Sequence, residues 1–174
     1  MEKNTRIKLD YFLALESDLL NFSRYIEFAT DNYDAYSMEL VRLLLAAGSE
    51  VDIACKQLCR LVNPKNKRGN ISNYRAVLLK RFPEIQSQVV CIRRHNISFQ
   101  PWNRWGHKHP AWWVAYNCVK HNRLVHFRDG NLRNVLNAVA GLGVIMQFFG
   151  DVLHPTWNFN GTLFDLHLRL QEIK

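Results

Sequence analysis

The sequence predicts a mainly α-helical protein, a bundle of about five helices with a small C-terminal β-hairpin. Two long apolar stripes, in residues 37–62 and 131–149, support this prediction. In each of them apolar side chains recur at three- and four-residue steps, so they share one face of a helix. Near the C-terminus apolar and polar residues alternate instead, which is typical of a strand. With 174 residues, the chain is expected to form one domain with a full hydrophobic core.

Three of the predicted helices lie in the first half of the chain. A helix over 16–29 precedes the long one over 37–62, which ends at Pro64 because proline lacks an amide hydrogen and restricts the residue before it. Ser72 is the predicted N-cap of a short helix that stops before Pro83.

Two further helices are predicted in the second half. Proline is tolerated best at the start of a helix, so one helix begins at Pro110 and runs to about residue 127. The last helix, over 131–149, contains Gly141 and Gly143. Glycine lowers helix stability, and these two therefore indicate a close packing partner.

Three stretches favour β structure. Residues 89–92 and 97–99 are short apolar runs without helical spacing. Residues 156–170 contain the pair Asn160-Gly161, which is a strong hairpin-turn signal, followed by alternating apolar and polar residues. We therefore expect the C-terminal hairpin in this last segment.

The composition also bears on where the protein works. Residues 1–4 lead into no apolar run, so we expect no secretory signal. No stretch reaches the roughly 18–20 uninterrupted apolar residues that a membrane span needs. Four cysteines without a repeating spacing are expected to be reduced thiols. The sequence thus predicts a cytoplasmic protein that does not bind a membrane.

The positive charge of the chain is concentrated in its middle third. The formal net charge is +8, and residues 63–130 alone hold 13 Lys and Arg against 2 Asp and Glu. The same segment contains four tryptophans: Trp102, Trp105, Trp112 and Trp113. Cations for phosphates and flat rings for base stacking favour an RNA-binding surface. The alternatives are a solvated basic face whose tryptophans are core, or a segment that docks on an acidic protein partner.

The helix after Pro110 has the strongest chemical character. Within it, Asn117 and His121 are one turn apart, so their side chains can meet on one face. A histidine transfers protons near neutral pH, and an amide beside it orients the ring or binds a substrate oxygen. Asn and His also occur at this spacing as ordinary polar residues, and the spacing alone leaves both interpretations open.

The string Tyr116-Asn117-Cys118-Val119-Lys120-His121 resembles the signature of the HEPN superfamily, in which an arginine and a polar residue, often asparagine, precede a histidine within a helix. The resemblance covers the helical body over residues 16–149, although only the motif helix is specific. It implies a compact helical bundle that dimerises and brings two such helices together across a basic cleft. Many of these domains are metal-independent ribonucleases of toxin or antiviral-defence systems, and others are inactive binding or antitoxin-like modules.

Residue by residue, Asn117 matches the polar position of the motif and His121 matches the histidine, while Tyr116 occupies the arginine position. The resemblance assigns that arginine to phosphate binding or to the charge of the transition state, so Lys120 or Arg123 would have to supply the cation here. In an active site, His121 would deprotonate a ribose 2′-hydroxyl or protonate the departing 5′-oxygen, leaving a cyclic phosphate without any metal. These five residues are the candidate catalytic set.

Trp113, Arg104, Lys108 and Arg128 are the candidate RNA contacts around this helix. Arg104 also precedes His109 with four residues between them, but this second match lies ahead of the helix and lacks the helical spacing that the motif needs. We expect an RNA-binding homodimer without a cofactor, either a metal-independent endoribonuclease or a non-catalytic module that recognises a protein, such as an antitoxin, or a nucleic acid.

A zinc site is not expected from the sequence. Cys55 and Cys59 are one turn apart on the long helix, and His107 and His109 are the histidines that they would need. These pairs lack the close ligand spacing of structural zinc sites, and a buried cysteine behaves as a small apolar residue.

Overall fold

The computed structural model describes residues 3–65, 69–153 and 161–167, and it confirms a mainly α-helical protein. These residues form five helices: α1 (Lys3–Phe22), α2 (Met38–Val62), α3 (Ile71–Arg81), α4 (Ala111–Asn122) and α5 (Leu132–Leu153). They also form one small sheet of three short strands: β1 (Val89–Ile92), β2 (Ile97–Phe99) and β3 (Asp165–His167).

The apolar helix α5 is the centre of the bundle. Its residues 138–150 are all buried, with α1, α2 and α4 packed around it. Within the described part of the chain it is the one helix long and apolar enough to cross a membrane, but 83% of its apolar window lies inside the molecule, as in a core helix. A Cβ at Gly141 would come within 3.0 Å of Trp112, so this ring is the close packing partner that the glycine indicated.

The long helix α2 confirms its prediction at both ends. The Ser37 hydroxyl accepts a hydrogen bond from the amide of Leu40 at 3.1 Å and so caps the first turn. The helix ends at Val62, just ahead of Pro64. Its apolar stripe packs mainly on α5, which makes these two helices the main contact of the bundle.

The first helix differs most from its prediction. The sequence pattern indicated 16–29, whereas α1 starts at the beginning of the described chain and ends at Phe22. Its apolar stripe extends upstream through Phe12 and Leu15, which are both buried in the core. The Ser23 hydroxyl donates to a carbonyl of the preceding turn at 2.7 Å, a competition with the backbone that is typical of a helix end.

Two helix boundaries also depart from their predictions. Asn70 rather than Ser72 caps α3, because its side-chain oxygen accepts the amide of Asn73 at 2.9 Å. The helix α4 starts directly after Pro110, as predicted, but ends about five residues early. A short 3-10 turn, Phe127–Asp129, follows it and leads the chain towards α5.

The strands predicted at 89–92 and 97–99 are confirmed as an antiparallel hairpin, β1 with β2. The expected C-terminal hairpin is only partly described: 156–160 and 168–170 lie outside the described residues. The described part, β3, pairs antiparallel with β1. Alternation in the sequence revealed a strand there but not its partner, because the partner lies far away along the chain.

A buried carboxylate ties the C-terminal strand segment to α1. Glu16 is fully buried, and its oxygens accept hydrogen bonds from the amides of Thr162 at 2.8 Å, Leu163 at 3.2 Å and Phe164 at 2.9 Å. The Thr162 hydroxyl adds a fourth bond at 3.1 Å. The four hydrogen bonds satisfy both oxygens of the side chain, which would otherwise be costly to bury.

Candidate functional site on the C-terminal half of helix α4

The helix α4 has a buried face and an exposed face. Trp112, Ala115 and Val119 are buried where the helix packs on α2 and α5. The residues Lys120 and His121, in its last turn, are exposed. The core packing of the first face therefore holds the second face towards solvent, as a chemical site on a helix requires.

The predicted pair Asn117 and His121 lies on the accessible side of this helix. Asn117 is half-buried, and its Nδ2 donates to the carbonyl oxygen of Trp113 at 2.9 Å, one turn back. The described residues contain no hydrogen bond between Asn117 and the ring of His121. The amide is thus held by its own helix, while the imidazole is free to meet a ligand from solvent.

Tyr116 has the opposite environment. Its side chain is only 4% exposed, and its ring lies against the backbone of Gly48 on α2 and 5.2 Å from the Trp113 ring, centroid to centroid. The Lys120 ammonium lies 5.4 Å from the centroid of the same ring. Tyr116 therefore packs the core, which corrects its assignment to the candidate catalytic set.

Three exposed cations lie on or just after the last turn of α4. Among the described residues, no ion pair involves Lys120, Arg123 or Arg128, and all three are exposed. The Arg128 guanidinium lies 5.3 Å from the ring centroid of Tyr36. Exposed cations without carboxylate partners are available to an anion, although basic groups in a last helical turn also stabilise the helix itself.

The tryptophans of the basic segment belong to the core. Trp102 and Trp105 are fully buried, Trp112 is 2% exposed and Trp113 is 6% exposed. The indole N–H of Trp102 donates to Gly141 at 3.0 Å, and that of Trp112 donates to Pro101 at 2.8 Å. No ring face is left on which a base could stack, so Trp113 is not an RNA contact. The four tryptophans have the alternative role that the sequence left open, which is packing in the core.

The loop ahead of α4 supplies two further exposed cations, Arg104 and Lys108. Arg104 has the left-handed backbone conformation, with φ of 61°. Its carbonyl accepts the amides of His107 at 2.9 Å and Lys108 at 3.0 Å. Arg104 therefore lies in a tight turn and His109 in the irregular chain after it, and neither is in a helix, as expected for a match without helical spacing.

Two aliphatic side chains are exposed directly after α4. Leu124 is 93% exposed and Val125 is 71% exposed. Adjacent large aliphatic residues at this exposure suit a contact with another protein surface, and the sequence analysis did not single them out. The sequence pattern predicted that this helix continues to about residue 127. Both residues were therefore treated as helical positions, and their exposure was missed.

The thiols divide into two classes. Cys55 and Cys59 are buried on α2, and burial raises the pKa of Cys59 to about 12 and that of Cys55 well above its usual value. They take part in no group of three potential metal ligands within the described residues. Such a group forms elsewhere, from Cys118, His126 and Asp129, and the sequence analysis missed it.

The chain was compared with protein-family models, with curated proteins and with solved structures, and none of them matches it. The case for a function therefore comes from the residues described above.

Proposed function

We propose that this protein is a HEPN-like RNA-binding homodimer whose α4 helix carries a metal-independent endoribonuclease site of the toxin or antiviral-defence type. The observation that supports the proposal most is the exposed imidazole of His121 at the end of α4, where Lys120 and Arg123 are also exposed and form no ion pair among the described residues. A proton-transfer group next to free positive charge is what cleavage of a phosphodiester requires.

The proposed reaction is an internal transesterification. The ribose 2′-oxygen attacks the adjacent phosphorus, the bond from phosphorus to the 5′-oxygen breaks, and a 2′,3′-cyclic phosphate results. His121 removes the proton from the 2′-hydroxyl or delivers one to the leaving 5′-oxygen. Lys120 and Arg123 stabilise the negative charge on the phosphate oxygens. Asn117 contributes its side-chain oxygen or its second amide hydrogen as a contact to the substrate.

Binding of RNA is proposed to extend along the cations on both sides of α4. Arg104 and Lys108 lie before the helix and Arg128 after it, and all three are exposed. Phosphate contacts of this kind provide affinity without sequence preference. We therefore propose that any preference for an RNA sequence comes from residues other than these three cations.

The test is cleavage of end-labelled single-stranded RNA in the presence of EDTA. Wild-type protein is expected to produce fragments with cyclic phosphate ends, and His121→Ala is expected to slow cleavage by about a hundredfold or more. His107→Ala is the matched control, because His107 is also exposed but lies in the loop before α4. Equal cleavage by all three proteins would mean that another nuclease is responsible.

A second candidate function is a non-catalytic HEPN-like module that recognises RNA or a protein. The burial of Tyr116 favours it, because the position of the motif arginine contributes no charge to the surface. The same RNA experiment distinguishes the two candidates: RNA that is bound by wild type and by His121→Ala, but left intact by both, supports the module.

A further inference from the structure

Cys118, His126 and Asp129 meet where α4 ends and the chain turns towards α5. The thiol sulfur, a ring nitrogen and a carboxylate oxygen all lie within 4.8 Å of one another. Among the described residues, this is the one group of three or more His, Cys, Asp and Glu side chains with that spacing. We propose that it binds a zinc ion, a property that goes beyond the proposed function and does not depend on it.

The backbone around the three side chains is fixed by hydrogen bonds. The amide of His126 donates to Asn122 at 3.0 Å, and the amide of Asp129 donates to His126 at 3.0 Å. The side chain of Asn134, on α5, donates to the Asp129 carbonyl at 2.9 Å. The turn is therefore held in place from both helices before any metal binds, which lowers the cost of assembling the ligands.

The imidazole is oriented in the same way. His126 Nδ1 lies 2.9 Å from a carboxylate oxygen of Asp129, at hydrogen-bond distance. A zinc ion at this point would replace that hydrogen bond, with the imidazole and the carboxylate both turned towards the ion as ligands. The carboxylate is close enough to the thiol to serve as a ligand itself.

The mixture of donor atoms selects the metal. A thiolate is a soft ligand and an imidazole an intermediate one, and zinc accepts both together with a carboxylate. Magnesium and calcium prefer all-oxygen sites, so they suit this group poorly. Three protein ligands leave the fourth tetrahedral position of zinc to water or to another ligand.

The spacing and exposure suit a site that closes on its ion. Zinc lies about 2.0–2.3 Å from its ligands, which places ligand atoms roughly 3.3–3.8 Å apart around it. The side chains of His126 and Asp129 are 38% and 43% exposed, so they have room to rotate over the remaining distance. Cys118 is half-buried, so the ion has a route from solvent to all three side chains.

Zinc at this position would link α4 to the turn that precedes α5. The segment between Cys118 and His126 carries the exposed pair Leu124 and Val125, which the metal would hold in one orientation. The ligand is the thiolate, so the Cys118 proton passes to the buffer when the metal binds. Because a ligand that binds the folded state stabilises it, zinc is expected to raise the melting temperature.

The test uses cobalt as a spectroscopic substitute for zinc on the metal-depleted full chain. One equivalent of Co²⁺ is expected to give a sulfur-to-cobalt charge-transfer band and the intense visible absorption of a tetrahedral ion. The charge-transfer band is expected to disappear in Cys118→Ser, and His126→Gln and Asp129→Asn are expected to weaken binding about tenfold or more. Cys91→Ser is the matched control, because Cys91 has similar exposure but lies on β1.

A wild-type protein without the charge-transfer band, or a band that persists in Cys118→Ser, would overturn the proposal. Zinc protection of wild-type Cys118 against alkylation provides a second measurement that needs no variant. Slower alkylation of Cys118 than of Cys91 on addition of one equivalent of zinc supports the site, and unchanged rates at both thiols argue against it. Neither measurement involves RNA, so the zinc site and the ribonuclease proposal can fail separately.

Discussion

The ring of Tyr116 on α4 lies directly against Gly48 on α2, so closely that a Cβ at Gly48 would overlap the ring carbons. The two helices touch at this point because one contributes a large aromatic ring and the other no side chain at all. The contact explains why position 116 is aromatic in this chain: Tyr116 packs α4 against the core.

Gly48→Ala is expected to destabilise the protein by about 2–3 kcal/mol, because the added methyl group overpacks a rigid contact between a ring and a helix backbone. Urea unfolding followed by circular dichroism measures the effect. Gly106→Ala is a suitable control, since its Cβ would meet only the end of the Gln86 side chain, and it should cost less. Similar losses in both variants would contradict the importance of the Tyr116 contact.

Tyr116→Arg is expected to destabilise the protein strongly rather than to add a usable cation to the surface. A guanidinium at a site that is 4% exposed would be buried without a partner, at a cost of about 3 kcal/mol or more. Tyr116→Phe keeps the ring and should change the free energy of unfolding by less than about 1 kcal/mol. A folded Tyr116→Arg protein with faster RNA cleavage would show that this position remains open to catalysis.

The salt dependence of RNA binding tests the role of the cations around α4. Replacing Lys120, Arg123 and Arg128 together by alanine is expected to reduce the slope of log K against log salt by about 2, since each lost phosphate contact on a single strand removes roughly 0.7. Filter binding at several salt concentrations provides the slope. Arg42→Ala is the control, because Arg42 is already paired with Asp18 and Glu39. An unchanged slope in the triple variant would place the RNA elsewhere.

Alkylation at pH 8 should distinguish the two classes of thiol. Only the thiolate reacts, and burial holds the pKa of Cys59 at about 12 and that of Cys55 well above the usual range, so both stay protonated and inert. Cys91 and Cys118 are partly exposed and should react. Mass spectrometry after iodoacetamide treatment is expected to find two modified cysteines in the native protein and four in urea. Modification of Cys55 without denaturant would contradict the packing of α2.

Leu124→Glu should convert the proposed homodimer into a monomer. The side chain is 93% exposed, so the free subunit loses no packing, but a carboxylate in an apolar interface is costly. Light scattering after gel filtration gives the mass. Tyr25→Glu is the control, because Tyr25 is 86% exposed and lies between α1 and α2. A monomeric wild-type protein, or equal disruption by the control, would count against a dimer through this surface.

The parts of the fold that could be predicted are those set by local chemistry. The long helix α2 has a serine cap at one end, a proline just beyond the other and an uninterrupted stripe, and its bounds came out almost unchanged. The partner of the C-terminal strand could not be predicted in the same way. Pairing between β3 and β1 spans about 75 residues, and no local pattern contains information on it.

The candidate site was predictable to a similar extent. Spacing along one helix identified Asn117 and His121 on its accessible side, because three- and four-residue neighbours share a face wherever the helix lies. Whether an aromatic ring on that helix faces solvent or core depends on what packs against it, and Trp113 and Tyr116 turned out to be buried. The group of Cys118, His126 and Asp129 was not predicted. Helical spacing does not apply to it, because α4 ends after Cys118 and the turn that follows brings the other two residues close.

The carboxylate of Glu16 has a consequence for the order of assembly. Its hydrogen-bond partners, the amides of residues 162–164, are synthesised almost 150 residues later. During translation the oxygens of Glu16 therefore stay hydrated until residues 162–164 have left the ribosome. Refolding from denaturant has no such delay, because residues 162–164 are present from the start.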